Sequence, residues 1–283
     1  IPGCMALEEF NWTLAQAAME SRTAQETEDL YYDLKRGIET VSDNYDIILV
    51  AGQSNTHYGY GYDSTFDATH KDVFQLARFE LDEEIIPAAE PLHHHSKKDS
   101  CVGFALTFAK LYVQEYLQNE RKVLIIPCGL AGSSFMKGDW NPGDHYYEDA
   151  VNRTKHTLRN NPGSRLSAIL WHQGESDDQN PAYKESLDGM IQQMRIDLGL
   201  ENVPFILGGM VPYWVEQNES LIAVADIISE TPNRLPHCGY ANPNYPFVIE
   251  KLVDEEDQVH YDSNGQRELG RRYFIAYREL VHP

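Results

Sequence analysis

An α/β fold built on a mainly parallel sheet is what this sequence predicts, and three features predict it. Four short apolar runs, at 47–51, 123–127, 168–172 and 204–209, have the length and composition of strands buried on both faces. Between them lie stretches whose apolar residues recur at helical spacing. Glycine and polar residues punctuate the ends of the runs. Strand, loop, helix, strand in this alternation gives a parallel sheet with helices on both faces and right-handed crossovers.

The elements follow in order. Leu30, Leu34, Ile38 and Val41 fall on one helical face, so residues 1–44 are expected to form an N-terminal helical extension packed on a main domain at 45–283. The first core strand spans about 46–51, and 52–72, rich in Gly and Tyr, reads as an exposed loop. Val73-Phe74-Gln75-Leu76 is a short strand. Phe104, Phe108, Leu111 and Tyr112 mark an amphipathic helix over roughly 103–118, followed by the strand Val123-Leu124-Ile125-Ile126-Pro127 and the small-residue loop Gly129-Leu130-Ala131-Gly132-Ser133-Ser134. A helix near 146–159 leads to the strand at 168–172. Tyr183, Leu187, Met190, Ile191, Met194 and Leu198 give a further helical stripe that stops near Gly199. The last strand is at 204–209, and Ser263-x-x-Gln266 is a capping box opening a C-terminal helix over about 264–280.

Bulk properties narrow the function. The chain has 283 residues and 42% hydrophobic content, enough for one large core, with no internal repeat or low-complexity linker. No run approaches the ~18 apolar residues of a membrane span. The net charge of −21 disfavours nucleic acid as a partner, because phosphate backbones would be repelled. Cys4, Cys101, Cys128 and Cys238 match no zinc or redox spacing; they are either buried thiols or two disulfides in one of three pairings. The chain opens at Ile1 rather than methionine, which fits removal of an upstream segment by a signal peptidase or by choice of the expressed piece. Sequons at Asn11, Asn152 and Asn218 occur at about chance frequency and decide nothing.

Three places carry chemistry. Ser54 follows the first core strand in the turn Gly52-Gln53-Ser54-Asn55, where open α/β sheets place their ligands. A serine needs a base to become a nucleophile. The sequence is not the Gly-x-Ser-x-Gly elbow, and Gly-Gln-Ser-Asn alone also fits a helix-cap serine. His260 is the candidate base, and Asp257, three residues earlier, is within reach of its Nδ1 hydrogen on a single turn. In isolation Asp-x-x-His also fits an ordinary surface turn. Gln173, at the end of a buried strand, is a candidate donor to a tetrahedral oxyanion, with the backbone N–H groups of Gly132 and Ser54 as companions.

Together, Gly52-Gln53-Ser54-Asn55, the Gly132 loop, Trp171-His172-Gln173-Gly174-Glu175-Ser176-Asp177 and Asp257-x-x-His260 resemble the blocks of the SGNH (GDSL-like) hydrolase superfamily. They resemble most its sialate O-acetylesterase-like branch, which includes the acetyl xylan esterases of carbohydrate esterase family six. The resemblance covers about 45–282, and the segments at 102–109 and 260–263 share it. It implies a three-layer α/β/α flavodoxin-like fold and removal of acetyl groups from sugars without a metal or other cofactor. Ser54 matches the nucleophile, His260 the base, and Gly132 and Gln173 the oxyanion donors, with Gln173 where most SGNH enzymes have asparagine. The helper carboxylate is either Asp257 or Glu175; the tether to His260 favours Asp257.

Substrate contacts are expected from Gln53, Asn55, Trp140 and Arg78. Tyr58, Tyr60, Tyr62, Trp140, Tyr146 and Tyr147 lie on two loops flanking Ser54, and aromatic faces suit sugar rings; Trp140 is the chosen platform. His93-His94-His95 lacks the i, i+4 geometry of a helical metal site and reads as a solvated loop. The expected activity is therefore a serine esterase that deacetylates a carbohydrate, with no cofactor. Two alternatives are a carbohydrate-binding protein on the same scaffold and a lipase or thioesterase of the same superfamily. Acetylated xylan, sialic acid and other acetylated glycans are all open as substrates, and so is the oligomeric state. A secreted or periplasmic site of action follows from substrate class alone.

Overall fold

The structure, a computed structural model, describes residues 44–250 and 257–282. The helical extension expected over 1–44 therefore lies, save Asn44, outside the described residues. In chain order the elements are β1 (Tyr45–Gly52), a 3-10 turn (Ser54–Thr56), β2 (Gly59–Tyr60), α1 (Ser64–Asp67), β3 (Val73–Leu76), a second 3-10 turn (Phe79–Leu81), β4 (Ile85–Pro87), β5 (Cys101–Val102), α2 (Ala105–Glu115), β6 (Lys122–Gly129), α3 (His145–Asn160), β7 (Arg165–His172), α4 (Tyr183–Leu198), β8 (Phe205–Gly208), α5 (Pro212–Gln217), α6 (Glu219–Ser229), α7 (Thr231–Arg234), β9 (Cys238–Ala241) and α8 (Ser263–Val281). Seven strands make one sheet in the order β4-β3-β6-β1-β7-β8-β9. Every neighbouring pair is parallel except β3 with β4. β2 and β5 form a separate antiparallel pair.

Alternation along the central strands builds two cores, one on each face of the sheet. Ile47, Leu49 and Ala51 of β1, with Leu124, Ile126 and Cys128 of β6 and Ile169 and Trp171 of β7, pack under α3, α4 and α6. Ile48 and Val50, with Val123, Ile125, Ala168 and Leu170, pack under α2 and α8. Each fully buried aliphatic side chain contributes about 1.5–3 kcal/mol relative to an exposed one. A strand that is apolar on both faces from Ile47 to Ala51 is thus held at the sheet centre, and β1 occupies it. The result is the three-layer α/β/α arrangement that the sequence and its resemblance implied.

Several local expectations shift. β4 and β9 join the sheet at its two edges, although three and four residues give no readable pattern. The start of the loop expected to be exposed, from Gly52 to His57, is buried. The cap of α8 is one residue earlier than the proposed box: the Asp262 carboxylate accepts from Gly265 N at 2.7 Å, and Gln266 instead donates to Asn55 O at 2.9 Å. Cys101, Cys128 and Cys238 are buried free thiols, and Cys4 lies outside the described residues. Among the described residues no helix is long and apolar enough to cross a membrane.

Candidate active site

β1 ends in a turn that only glycine permits. Gly52 has φ +123°, and a Cβ there would lie 2.0 Å from His172 O. Gln53 N donates to that same carbonyl at 2.8 Å, which carries the β1–β7 pairing one residue further. The chain then closes a single 3-10 turn, with Thr56 N and His57 N donating to Gln53 O and Ser54 O, both at 2.9 Å. Ser54 is thereby held at the carboxyl end of the central strand, 5% exposed.

His260 meets it from the far end of the chain. His260 Nε2 lies 2.8 Å from Ser54 Oγ, and His260 Nδ1 lies 2.8 and 3.0 Å from the Asp257 oxygens. A carboxylate only accepts, so Nδ1 carries the hydrogen and Nε2 is left to accept the Ser54 proton. The other candidate acid is elsewhere. Glu175 Oε1 accepts from Asn55 Nδ2 at 2.6 Å and lies 3.4 Å from His172 Nε2. Burial pushes the Glu175 carboxyl up, but His172 and the Asn55 amide outweigh it and hold the group below its ordinary value. Of the two acids, Asp257 is the one on His260.

The neighbouring strand ends offer hydrogen-bond donors. Gly132, at φ +68°, has open space where a side chain would stand. Neither its N–H nor that of Ser54 has an acceptor among the described residues. Gln173 is fully buried, and its Nε2 donates to Asp177 Oδ2 at 2.6 Å, leaving one amide hydrogen. Because β6, β1 and β7 are adjacent, Gly132, Ser54 and Gln173 emerge beyond the carboxyl ends of three neighbouring strands.

The expected substrate contacts are corrected. Gln53 is buried, and its Oε1 accepts from Gly174 N and Ser176 N, both at 3.3 Å, pinning the loop after β7. Asn55 is fully buried, with its amide committed to Glu175, Val259 and Tyr261. Trp140 has no exposed surface; it packs edge-on to Trp171 and donates to Ser133 Oγ at 2.7 Å, so it braces the Gly132 loop and offers no sugar platform. Arg78 is spent on Asp149, at 2.5 and 3.2 Å, and on Pro127 O. Tyr147 is buried on Asp197.

His93-His94-His95 is not a solvated loop: His94 is fully buried, accepts from Gly129 N at 2.8 Å and stacks on His57, while His95 faces Asp149 at 3.1 Å. Of the loop aromatics, Tyr58 stands nearest the base, its ring centre 5.4 Å from that of His260, and Tyr60 and Tyr62 are exposed.

One residue of the site went without a role in the sequence reading. Asp177 is fully buried and accepts from Phe135 N, Met136 N, Gln173 Nε2 and Asn180 Nδ2. It joins the loop after β6 to the loop after β7. Its signal was its place at the end of the Trp-x-Gln-Gly-Glu-x-Asp block, where a carboxylate follows a buried strand.

A hydroxyl, an imidazole and a carboxylate in hydrogen-bonded series, with two backbone N–H groups unpaired among the described residues beyond neighbouring strand ends, fit the constellation of serine hydrolases. Residues 44–279 match the family described as carbohydrate esterase, sialic acid-specific acetylesterase, and the chain belongs to that family. It is 27% identical over 227 residues to a protein of Escherichia coli (strain K12) named a probable 9-O-acetyl-N-acetylneuraminic acid deacetylase, an alignment covering 62% of this chain and 69% of that one. It is 33% identical over 126 residues to a probable carbohydrate esterase of Arabidopsis thaliana, covering 42% and 46%. The crystal structure of NanS has the same fold, with a TM-score of 0.74 at 22% identity over 86% of this chain and 99% of that one. The protein is thus a carbohydrate esterase that removes O-acetyl groups.

Proposed function

We propose that Ser54 carries the acetyl group between sugar and water. The observation behind this is the 2.8 Å contact between Ser54 Oγ and His260 Nε2, with Asp257 on the far side of the ring. Ser54 Oγ attacks the acetyl carbonyl while His260 Nε2 takes its proton. Asp257 fixes the tautomer and stabilises the imidazolium. The oxyanion is received by the N–H groups of Ser54 and Gly132 and by the remaining amide hydrogen of Gln173. The sugar oxygen leaves with the proton from His260, giving a free hydroxyl and acetyl-Ser54. Water, deprotonated by His260, then releases acetate and restores the serine.

For the substrate we propose an O-acetylated sialic acid first, with acetylated xylan or another acetylated glycan as the other arm of the test. The family description and the name of the E. coli relative favour this order. Action outside the cytoplasm, secreted or periplasmic, follows from where acetylated polymers are found. An acetate-release screen over O-acetylated neuraminic acids, acetylated xylan and p-nitrophenyl acetate tests both parts. We expect release from at least one acetylated sugar by the wild type and none by Ser54→Ala. Undiminished release by Ser54→Ala contradicts the mechanism, and activity confined to long-chain esters contradicts the substrate class.

A further inference from the structure

His260 has no secondary structure to hold it. Residues 257–262 form neither helix nor strand, so no ladder of backbone hydrogen bonds fixes the peptide groups on either side of the imidazole. Yet a general base works only within hydrogen-bond reach of its proton. The carbonyl before His260 and the N–H after it are taken by one side chain, while His260 N–H itself donates to Asp257 Oδ1 at 3.1 Å. Asn55 Nδ2 donates to Val259 O at 3.0 Å, and Asn55 Oδ1 accepts from Tyr261 N at 3.0 Å. Asn55 is the residue directly after Ser54, so the backbone of the base is bracketed from a point one residue away from the nucleophile.

An amide can be turned end for end, and in the wrong sense its oxygen would face Val259 O and its nitrogen Tyr261 N–H. Val259 O and Tyr261 N–H already oppose this, and Glu175 adds a third constraint. Its Oε1 lies 2.6 Å from Asn55 Nδ2, and an ionised carboxylate can only accept. The nitrogen end must therefore point to Glu175, its second hydrogen goes to Val259, and the oxygen is left for Tyr261. His172 stands behind the carboxylate, with Nε2 3.4 Å from Glu175 Oε1. Tyr273 OH gives its own proton to Trp171 O at 2.6 Å, so the contact of His172 Nδ1 with that hydroxyl at 3.2 Å has the imidazole as donor.

We infer that Asn55 is a positioning residue of the deacetylation, bracketing His260 through the carbonyl before it and the N–H after it, and that Glu175 acts through Asn55 by reinforcing the sense of its amide. This rests on the reading of Ser54 and His260 as nucleophile and base. Both side chains are buried, Asn55 completely and Glu175 to 2% exposure, which leaves them no surface to offer the substrate. Their removal should slow the chemical step without weakening binding.

The test is a double-mutant cycle on p-nitrophenyl acetate hydrolysis, with Asn55→Ala made alone and in a His260→Ala background, and thermal melts on each protein. Misplacement of a reacting group by about 1 Å costs ~10²-fold, so Asn55→Ala should lower kcat by about that factor with KM little changed. In the His260→Ala background there is no base left to position, and the further loss should vanish. An equal loss in both backgrounds, or wild-type kcat in Asn55→Ala, overturns the inference. Should Asn55→Ala fail to fold, Glu175→Gln keeps the size and weakens the hold on the Asn55 amide; its smaller loss of kcat must likewise vanish without His260, and no loss at all, or persistence there, overturns the inference. If Ser54→Ala and His260→Ala both turn over at the wild-type rate, it is the underlying reading of the site that has failed.

Discussion

His57 illustrates how single side chains are fitted around the base. Thr56 Oγ1 gives its proton to Gln53 O at 2.7 Å, so the 2.7 Å contact of His57 Nδ1 with that oxygen has the imidazole as donor. His57 Nε2 then accepts from Ser96 Oγ at 2.9 Å. Burial, with repulsion from His260 and His95, holds the His57 pKa down to about 3. His57 therefore stays neutral when His260 takes up the serine proton, and no second cation opposes that step. Gln173 is the residue whose role is most open to a kinetic measurement. If its remaining amide hydrogen serves the oxyanion, Gln173→Ala lowers kcat by ~10²–10³-fold and changes KM little. Steady-state kinetics on p-nitrophenyl acetate check this, and a raised KM at unchanged kcat contradicts it.

At the scale of elements, the site depends on how the loops after β6 and β7 are tied together. The Asp177 carboxylate holds two backbone N–H groups of the first loop and the Gln173 side chain at the root of the second. Asp177→Asn keeps the shape but turns one acceptor into a donor facing buried donors, and should cost about 3 kcal/mol. Urea denaturation of the variant measures this, and a change below about 0.5 kcal/mol would show that the junction is not stabilising.

The long elements were legible in the sequence for simple reasons. β1, β6 and β7 are buried on both faces and so read as unbroken apolar runs, and α4 shows a full stripe from Tyr183 to Leu198. β4 and β9 are too short to show a period, and the cap of α8 was misplaced because Ser263 and Asp262 are both good capping residues.

Across the whole molecule, the central strand joins two polar ends through an apolar middle. Its start is anchored by Asp46, fully buried and paired with Arg121 Nε at 2.7 Å and Arg165 Nε at 2.8 Å. Its finish presents Ser54, with the neighbouring strands presenting Gly132 and Gln173 on either side. Ser54, His260 and Asp257 were legible as a group through their likeness to the SGNH blocks, since Gly-Gln-Ser-Asn and Asp-x-x-His taken singly also fit a cap and a surface turn. The substrate contacts were not. Trp140, Arg78, Gln53 and Asn55 have the chemistry of sugar ligands, but the partners that consume them, Ser133, Asp149, Gly174 and Glu175, are fixed only by the packing of distant loops.

The account stands or falls on an acyl group passing through Ser54. Its most direct measurement is mass spectrometry of the protein quenched during turnover of p-nitrophenyl acetate. The expected result is a single acetyl group on the peptide containing Ser54, absent from Ser54→Ala. Acetate release at the full rate with that peptide unmodified throughout would contradict it.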